Sequence, residues 1–498
     1  MNKFDILIIG SGLGGLVSGA ILAKNGYKVC VLEKHYTTGG NLQVFKRKGC
    51  SFSAGMHYGG ALEKGQVIYQ IFQYLGIYDK LTLSKLDEEC FDKIIIGDKE
   101  YCYAMGMENF KNKLIAYFPE EKEVIEQYTQ KLESIWKQSS ALNLKTQDFE
   151  SMPSFDEYSE NAFEYINSLT SNEELRAVLG ATNGLYAGDK KKSPLYIHAN
   201  INNFFIKSAW RIAEDGENLS ALLAEVIEQA GGQVLTKKEV VRLNFTEKKI
   251  SSITTTDGEN FFAETFISNI HPVSTFKLIE PGKLRKSYTK RITELENTIS
   301  TFMLFNVLKK KTMKHINSNI YYSATNKVWD NIDYTEQDWP EGYMLYTTED
   351  ANNKGYAESV VVVCLMKWDD VKQWENTRVL KRGDDYLRFK EQKAEKLLKL
   401  VQLKFPKIKE SIDTIYSASP LTFRDYTGTY QGSMYGIVKD CNNPMHTLLS
   451  PRTKISNLHL TGQNIGFHGM LGVIMTSLQT CGGIINLENL YADIKTSD

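Results

Sequence analysis

Six residues near the start of the chain, Gly10-Ser11-Gly12-Leu13-Gly14-Gly15, have the types and spacing of a phosphate cradle. Gly10 permits a tight turn, Gly12 lets the backbone approach a pyrophosphate, and Gly15 lets the following helix pack close to its strand. The helix N-terminus adds free N–H groups and a partial positive charge. Glu33, with Lys34 behind it, is spaced to accept hydrogen bonds from ribose hydroxyls. A second glycine pair follows in Thr38-Gly39-Gly40-Asn41 and offers more backbone N–H groups to the same pyrophosphate. An NAD domain has no need of this pair, whereas an extended FAD reaching a buried ring does. Late in the chain, Thr461-Gly462-Gln463-Asn464, Gly469 and Gly472 form another glycine-bearing stretch.

Regular elements must position these residues. Phe4 to Ile9 reads as a buried parallel strand, Leu16 to Gly26 as a helix with its stop, and Lys28 to Leu32 as a second strand ending at Glu33. Leu219 to Ala230 reads as a helix stopped by Gly231-Gly232, with strands at 233–235 and 239–243. Lys249 to Thr256, Asp257-Gly258 and Phe261 to Ile267 read as a hairpin leading to Ser268-Asn269. Leu458 to Thr461 reads as a strand, followed by a glycine-started helix through Leu478. A helix N-terminus there favours the negative charge of a reduced flavin. Elsewhere, 105–180 is helix-like, Thr301–Val307, Tyr343–Thr347 and Ser359–Met366 read as strands, and 189–192 as a solvated Asp-Lys-Lys-Lys loop.

Over 498 residues, 59 Lys+Arg against 60 Asp+Glu give a net charge of −1, which argues against a nucleic-acid partner. With 42% apolar and 24% charged residues the chain is not disordered. Seven scattered cysteines without a CxxC pair support neither a disulfide framework nor a zinc site, and point to a reducing, cytoplasmic setting. No basic-then-apolar leader opens the chain, and the longest apolar run, Val360 to Met366, is too short for a membrane span. Two basic amphipathic stretches, 283–291 and 385–405, raise peripheral membrane contact, against the plainer reading of core-facing helices with solvated backs. No HExxH, EF-hand or P-loop occurs and no histidines pair at i, i+4, so no metal site is expected. Gly428, Gly432 and Gly436 lack a preceding apolar strand, so no separate nicotinamide domain is read and the electron donor is unidentified.

The order GSGLGG, Leu32-Glu33-Lys34, Thr38-Gly39-Gly40 and Thr461-Gly462-Gln463 resembles the FAD-dependent phytoene desaturase and amine-oxidase-like flavoproteins. Gly55-Met56-His57-Tyr58-Gly59-Gly60, and Ser419-Pro420-Leu421-Thr422 with Tyr426 and Gly428, are most similar to the retinol saturase (all-trans-retinol 13,14-reductase-like) branch. The resemblance implies a two-domain flavoenzyme acting on carbon–carbon double bonds of long polyenes. It implies FAD contacts by Gly10, Gly12, Gly15, Glu33, Gly39, Gly40, the Val240 backbone and Gly462 to Asn464. Ser11, Gly14, Lys34, Asn41 and Gly472 fall in the same segments. Two departures bear on the substrate side: Glu214-Asp215-Gly216 replaces a Pro-Gly-Gly-like turn, and Asn464 stands where the branch tends to show Asp.

The expected fold is α/β: a discontinuous Rossmann-like FAD-binding domain (1–65, 205–275, 450–498) and an α+β substrate domain (66–204, 276–449) with a mixed or antiparallel sheet. Aromatic residues are denser in the second set, where a polyene tunnel would lie, although core packing produces the same bias. Saturating an alkene takes a hydride from flavin N5 and a proton, for which His57, Tyr58, His468 or water are candidates. Tyr426 and Tyr430 would flank the flavin. The leading expectation is reduction of a retinoid- or carotenoid-like double bond. Desaturation or isomerisation by the same pocket comes second, and a flavin-free lipid carrier on this fold is the alternative from another class.

Overall fold

The computed structural model describes residues 2–146, 158–213 and 218–497, so Glu214-Asp215-Gly216 and part of the 105–180 segment lie outside the described residues. A five-stranded sheet joins, in spatial order, 233–235, Val29–Leu32, Ile6–Ile9, Thr265–Ser268 and Leu458–Leu460, all parallel. The strands Ile6–Ile9 and Val29–Leu32 are buried at every position, which is why they read as continuous apolar runs rather than alternating ones. The helix Leu13–Lys24 is buried at every residue but the last, enclosed by the sheet and the helices Leu219–Gln229 and Gly469–Gly482.

The hairpin reading of 249–267 needs a correction. Asn260–Phe262 closes a three-stranded antiparallel sheet with Val240–Thr246 and Lys249–Thr255, but Thr265–Ser268 leaves it and enters the parallel sheet. Ala263-Glu264 forms the break, and the N–H of Thr265 bonds to Asp5 O (3.1 Å). One apolar run therefore serves two sheets.

A seven-stranded mixed sheet runs Ile412–Ala418, Ser300–Leu308, Ala357–Met366, Gly342–Glu349, Asn319–Ser323, Asp92–Ile96, Lys99–Tyr103. Only Asn319–Ser323 and Asp92–Ile96 pair in parallel. Register places Met303, Val363, Met344, Tyr321 and Ile94 on one face, and Phe302, Val362, Leu345, Tyr322 and Ile95 on the other. The second face is covered by the helix Asp384–Gln402 through Leu397, Leu398 and Val401. That helix thus spends its apolar side on the core. Even Lys393 is buried in it, bonded to Glu336 (2.7 Å) with its ammonium 4.4 Å from the Trp339 ring centroid. The 283–291 stretch overlaps the short helix Lys286–Thr293, whose one buried residue, Ile292, lies just beyond it. No helix among the described residues is long and apolar enough to cross a membrane.

Two local expectations change. Cys90, two positions before one strand of the Asp92–Tyr103 hairpin, forms a disulfide with Cys102 of the other; the remaining five cysteines are buried. An odd, scattered set hides such a pair, because register rather than spacing brings it together. The 189–192 loop is held by ion pairs of Lys190 with Asp330 (2.5 Å) and Lys192 with Glu296 (2.5 Å).

Candidate flavin site and adjoining cavity

At the fingerprint, Gly10 adopts φ +92°. A Cβ on Gly15 would stand 2.1 Å from Gly10 O, and one on Gly14 would stand 2.9 Å from Gly462 Cα. The first glycine loop and the last are therefore in direct backbone contact. Asn269, immediately after the strand Thr265–Ser268, sets its side-chain amide against the N–H groups of Gly12 and Gly15 (3.2 Å each), and the hydrogen-bonding pattern assigns the oxygen to that side. It was missed from sequence, and its position just past a strand of the apolar series was the signal.

Glu33 is buried. Its Oε2 accepts from Ser11 N (3.0 Å) and Ser11 Oγ (2.6 Å), and its Oε1 from His35 N (2.8 Å). The N–H of Lys238 bonds to Glu33 O (2.8 Å), which brings the start of the strand Val240–Thr246 beside the acid. The second glycine pair docks on the first: Gly39 N–H donates to Ser11 O (3.0 Å), so this N–H serves the loop rather than a phosphate.

A cavity of about 560 Å³ starts at these loops. Gly10, Gly12, Gly14, Glu33, Lys34, Gly39, Gly40, Asn41, Val240, Gln463 and Asn464 line it, as do His57, Tyr58, Tyr426 and Tyr430. Ser11, Gly15, Gly462 and Gly472 do not line it but build its walls; a Cβ on Gly472 would meet the Phe467 carbonyl at 2.2 Å. Gly469, Met470 and Leu471, at the N-terminus of the helix Gly469–Gly482, form part of the lining. Beyond them the cavity meets the sheet face of Met303, Met344, Val363, Tyr321, Ile94 and Ile96, with Phe204 and Phe205 from the helix Leu195–Lys207.

The Gly55–Gly60 segment has a packing explanation. A Cβ on Gly60 would come 2.2 Å from Phe204 O and one on Gly59 2.8 Å from Met470 Cε, so only glycines pass between these groups. That passage brings His57 and Tyr58 to the cavity. His57 Nδ1 lies 3.2 Å from Tyr346 Oη, and the Arg211 guanidinium bonds to His57 O (3.1 Å). Burial, reinforced by the Arg211 charge, pushes His57 down to about 4, so its ring is neutral near pH 7.

The Tyr58 ring stacks on Phe205 (centroids 4.1 Å apart). Its hydroxyl lies 3.0 Å from Asp92 Oδ2 and 2.8 Å from Tyr321 Oη. Asn319 Nδ2 donates to Asp92 Oδ1 (2.7 Å), and Arg211 donates to Asn319 Oδ1 (2.9 Å). Sequence reasoning missed Asp92, Tyr321 and Arg211. The available signal was the apolar run 94–96 before Gly97-Asp98, a two-residue hairpin turn.

His468 is placed differently from the sequence expectation. It is buried at the start of the last long helix, outside the cavity lining, and burial with the Lys439 charge pushes it down to about 3. Lys439, also unforeseen, is buried and donates to Thr447 O, Asn464 O and Ile465 O (3.0–3.2 Å), pinning the loop after the last parallel strand. Asn464 Oδ1 accepts from Ile437 N (3.2 Å). Tyr426 is 38% exposed, at the cavity mouth, and Tyr430 stacks on His271 (4.9 Å). Among the described residues no group of three or more His, Cys, Asp or Glu is placed to hold a metal ion.

These residues fit a flavin dinucleotide. The loop tolerates no side chain at Gly12 or Gly14, where a Cβ would come within 3 Å of Asn269, and a buried carboxylate directly follows the second strand. A carboxylate offers about four acceptor positions, and Glu33 uses three.

Along 99% of its length the chain is 26% identical to an all-trans-retinol 13,14-reductase of Danio rerio, 87% of which is covered. It is 22% identical to prolycopene isomerase 2 of an Oncidium hybrid cultivar, with 99% and 84% covered. An oxidoreductase structure from Methanosarcina mazei superposes with a TM-score of 0.63 at 16% identity, over 96% of this chain and 99% of that one. Residues 13–485 match the flavin containing amine oxidoreductases. That match spans most of the chain, which therefore belongs to the flavin-containing amine oxidoreductase family and is an FAD-dependent oxidoreductase.

Proposed function

We propose that the protein reduces a carbon–carbon double bond of a retinoid- or carotenoid-like polyene. The observation that carries this is the character of the cavity beyond the cradle. Four of its five Lys, Arg, Asp or Glu residues, Glu33, Lys34, Lys238 and Glu239, belong to the nucleotide end; the fifth, Glu341, stands just before the strand Gly342–Glu349, and the rest of the sheet side presents Ile94, Ile96, Met303, Met344 and Val363, with Phe204 beside them. An extended apolar chain is stabilised there by burial, at about 25 cal/mol per Å². The names of the Danio and Oncidium relatives, an all-trans-retinol 13,14-reductase and a prolycopene isomerase, support the same substrate class.

The chemistry a bound flavin supplies is hydride exchange. The chain's own residues do the rest. The backbone of Gly10–Gly15 and the carboxylate of Glu33 hold the dinucleotide. Tyr426 and Tyr430 flank the entry, and the sheet face orients the polyene and excludes water. His57, neutral and bonded to Tyr346, serves as a positioning group, leaving the proton to the Tyr58 hydroxyl and its neighbours.

Anaerobic photoreduction followed by addition of candidate polyenes tests the reading. Reoxidation with a product heavier by two hydrogens is expected. An unchanged mass with altered chromatographic retention would reassign the site to isomerisation, and a colourless protein would return the chain to the carrier class.

Peripheral contact with an anionic membrane is part of the proposal, on a surface other than the two basic stretches. Val379 and Leu380 form an exposed turn tip, Leu380 at 96%, between Arg378 and Lys381. Arg382 ties this turn to Asp425 in the helix Pro420–Thr427, which also carries Tyr426 at the cavity mouth. An apolar tip flanked by cations suits an anionic lipid surface, and would set the mouth near dissolved substrate. Low-salt co-sedimentation with phosphatidylserine vesicles should pellet the wild type and much less of Leu380→Asp; equal pelleting of both removes the idea.

A further inference from the structure

Resting on the flavin-reductase reading, we propose that Asp92 is the proton reservoir of the site and that it feeds the cavity through Tyr58 and Tyr321. The geometry is a short chain of oxygens. Asp92 Oδ2 lies 3.0 Å from Tyr58 Oη, which lies 2.8 Å from Tyr321 Oη. Both tyrosines line the cavity, whereas Asp92 sits behind them on the same sheet face, 1% exposed. Asp92 therefore acts through another group and is a positioning residue; the tyrosine hydroxyls are the ones within reach of substrate.

With Asp92 protonated, the whole chain points one way. The carboxylic O–H donates to Tyr58, the Tyr58 O–H donates to Tyr321, and the Tyr321 O–H is directed to the cavity. One C–H bond forms with the Tyr321 proton as that O–H breaks. Tyr321 recovers a proton from Tyr58, Tyr58 from Asp92, and the result is a carboxylate that solvent later reprotonates. The second hydrogen is the hydride equivalent from the reduced flavin, so the two hydrogens added to the double bond balance as H⁺ and H⁻. The carboxylate is then held by Asn319 Nδ2 and Tyr58, with Arg211 anchored on Asn319.

The surroundings of Asp92 suit the role. The polar groups facing it are Tyr58 from the Gly55–Gly60 segment, Asn319 and Tyr321 from the neighbouring strand, Tyr103 opposite it in the hairpin, and the Arg211 cation from the strand Ala209–Ile212. Burial outweighs the hydrogen bonds of Asn319 and Tyr58 and the Arg211 charge, and pushes the carboxyl up to about 7. An acid in that range both gives and regains a proton near neutrality, which neither tyrosine does, since burial drives both well above their ordinary range.

The test uses flavin-loaded wild type, Asp92→Asn and Tyr321→Phe. Infrared difference spectra across neutral pH should show a protonated-carboxyl C=O band titrating in the wild type, absent from Asp92→Asn and shifted in Tyr321→Phe. Polyene-driven reoxidation should fall on the order of 100-fold in both variants, with loss of the neutral limb of the pH profile in Asp92→Asn and unchanged flavin content. No titrating band, or an Asp92→Asn enzyme with the wild-type profile, overturns the reservoir. If Asp92→Asn fails to fold, Tyr321→Phe with the wild-type rate does the same. A titrating band in an enzyme that no polyene reoxidises supports the reservoir and counts against the polyene reading instead.

Discussion

Glu33 already accepts from Ser11 and His35, so its place along the second strand is preset before any ribose arrives. Removing it costs the nucleotide its hydrogen bonds to a charged group, each worth about 1.5–3 kcal/mol. Glu33→Ala should therefore hold FAD at least about tenfold more weakly, read as flavin retained after gel filtration. Gly15→Ala drives a methyl onto the Gly10 carbonyl, which is backbone and cannot yield cheaply. A destabilisation of about 1–3 kcal/mol is expected by thermal denaturation. For His57 the prediction concerns pH: a ring held near 4 carries no charge change between about pH 5 and 8. His57→Phe should thus leave any neutral limb of the rate profile in place, as stopped-flow reoxidation across that range would measure. The placement of the glycines and Glu33 was legible because it is local, set by backbone freedom and by spacing along one strand–helix–strand unit. Asp92 and Tyr321 were not, since their strands are joined only by a parallel pairing across more than two hundred residues.

Among the elements, the helical layer is stitched by one imidazole. His198 Nε2 meets Tyr128 Oη (2.7 Å) and its Nδ1 meets Tyr186 Oη (2.8 Å), joining the helix Lys122–Gln138, the turn Asn183–Tyr186 and the helix Leu195–Lys207. Burial pushes His198 down to about 3. The unfolded chain therefore binds a proton that the folded one refuses between about pH 6.5 and 3, and the stability tied to this residue is lost as pH falls through that window. His198→Phe should flatten that part of the stability–pH curve. It should also cost about 1–3 kcal/mol for each tyrosine hydroxyl left unpaired, measured by denaturant unfolding at several pH values. The strands 301–307, 343–347 and 359–366 were legible from composition, whereas the run 261–267 was divided between two sheets at Ala263-Glu264, a break that apolar periodicity does not mark.

At the scale of the whole molecule, the cradle ties together distant parts of the chain: the fingerprint, Asn269, the Val240 strand and the Gly462 loop. A ligand that bridges them stabilises only the folded state, by about 4 kcal/mol at a thousandfold excess over its Kd. Stripping FAD should lower the melting temperature and expose the closing segments to protease, and adding FAD back should reverse both. Apoprotein melting unchanged from holoprotein would contradict this joining role. By itself the sequence determined the nucleotide half of the protein, because glycine conformation, a strand-end acid and buried apolar runs are properties of neighbouring residues. Only the tertiary structure decided the other half. It chose which face of the seven-stranded sheet meets the cradle, placed His468 outside the cavity, and set Asp92 behind two tyrosines. Those outcomes depend on long-range register and burial, which arise only when strands distant in the chain are paired.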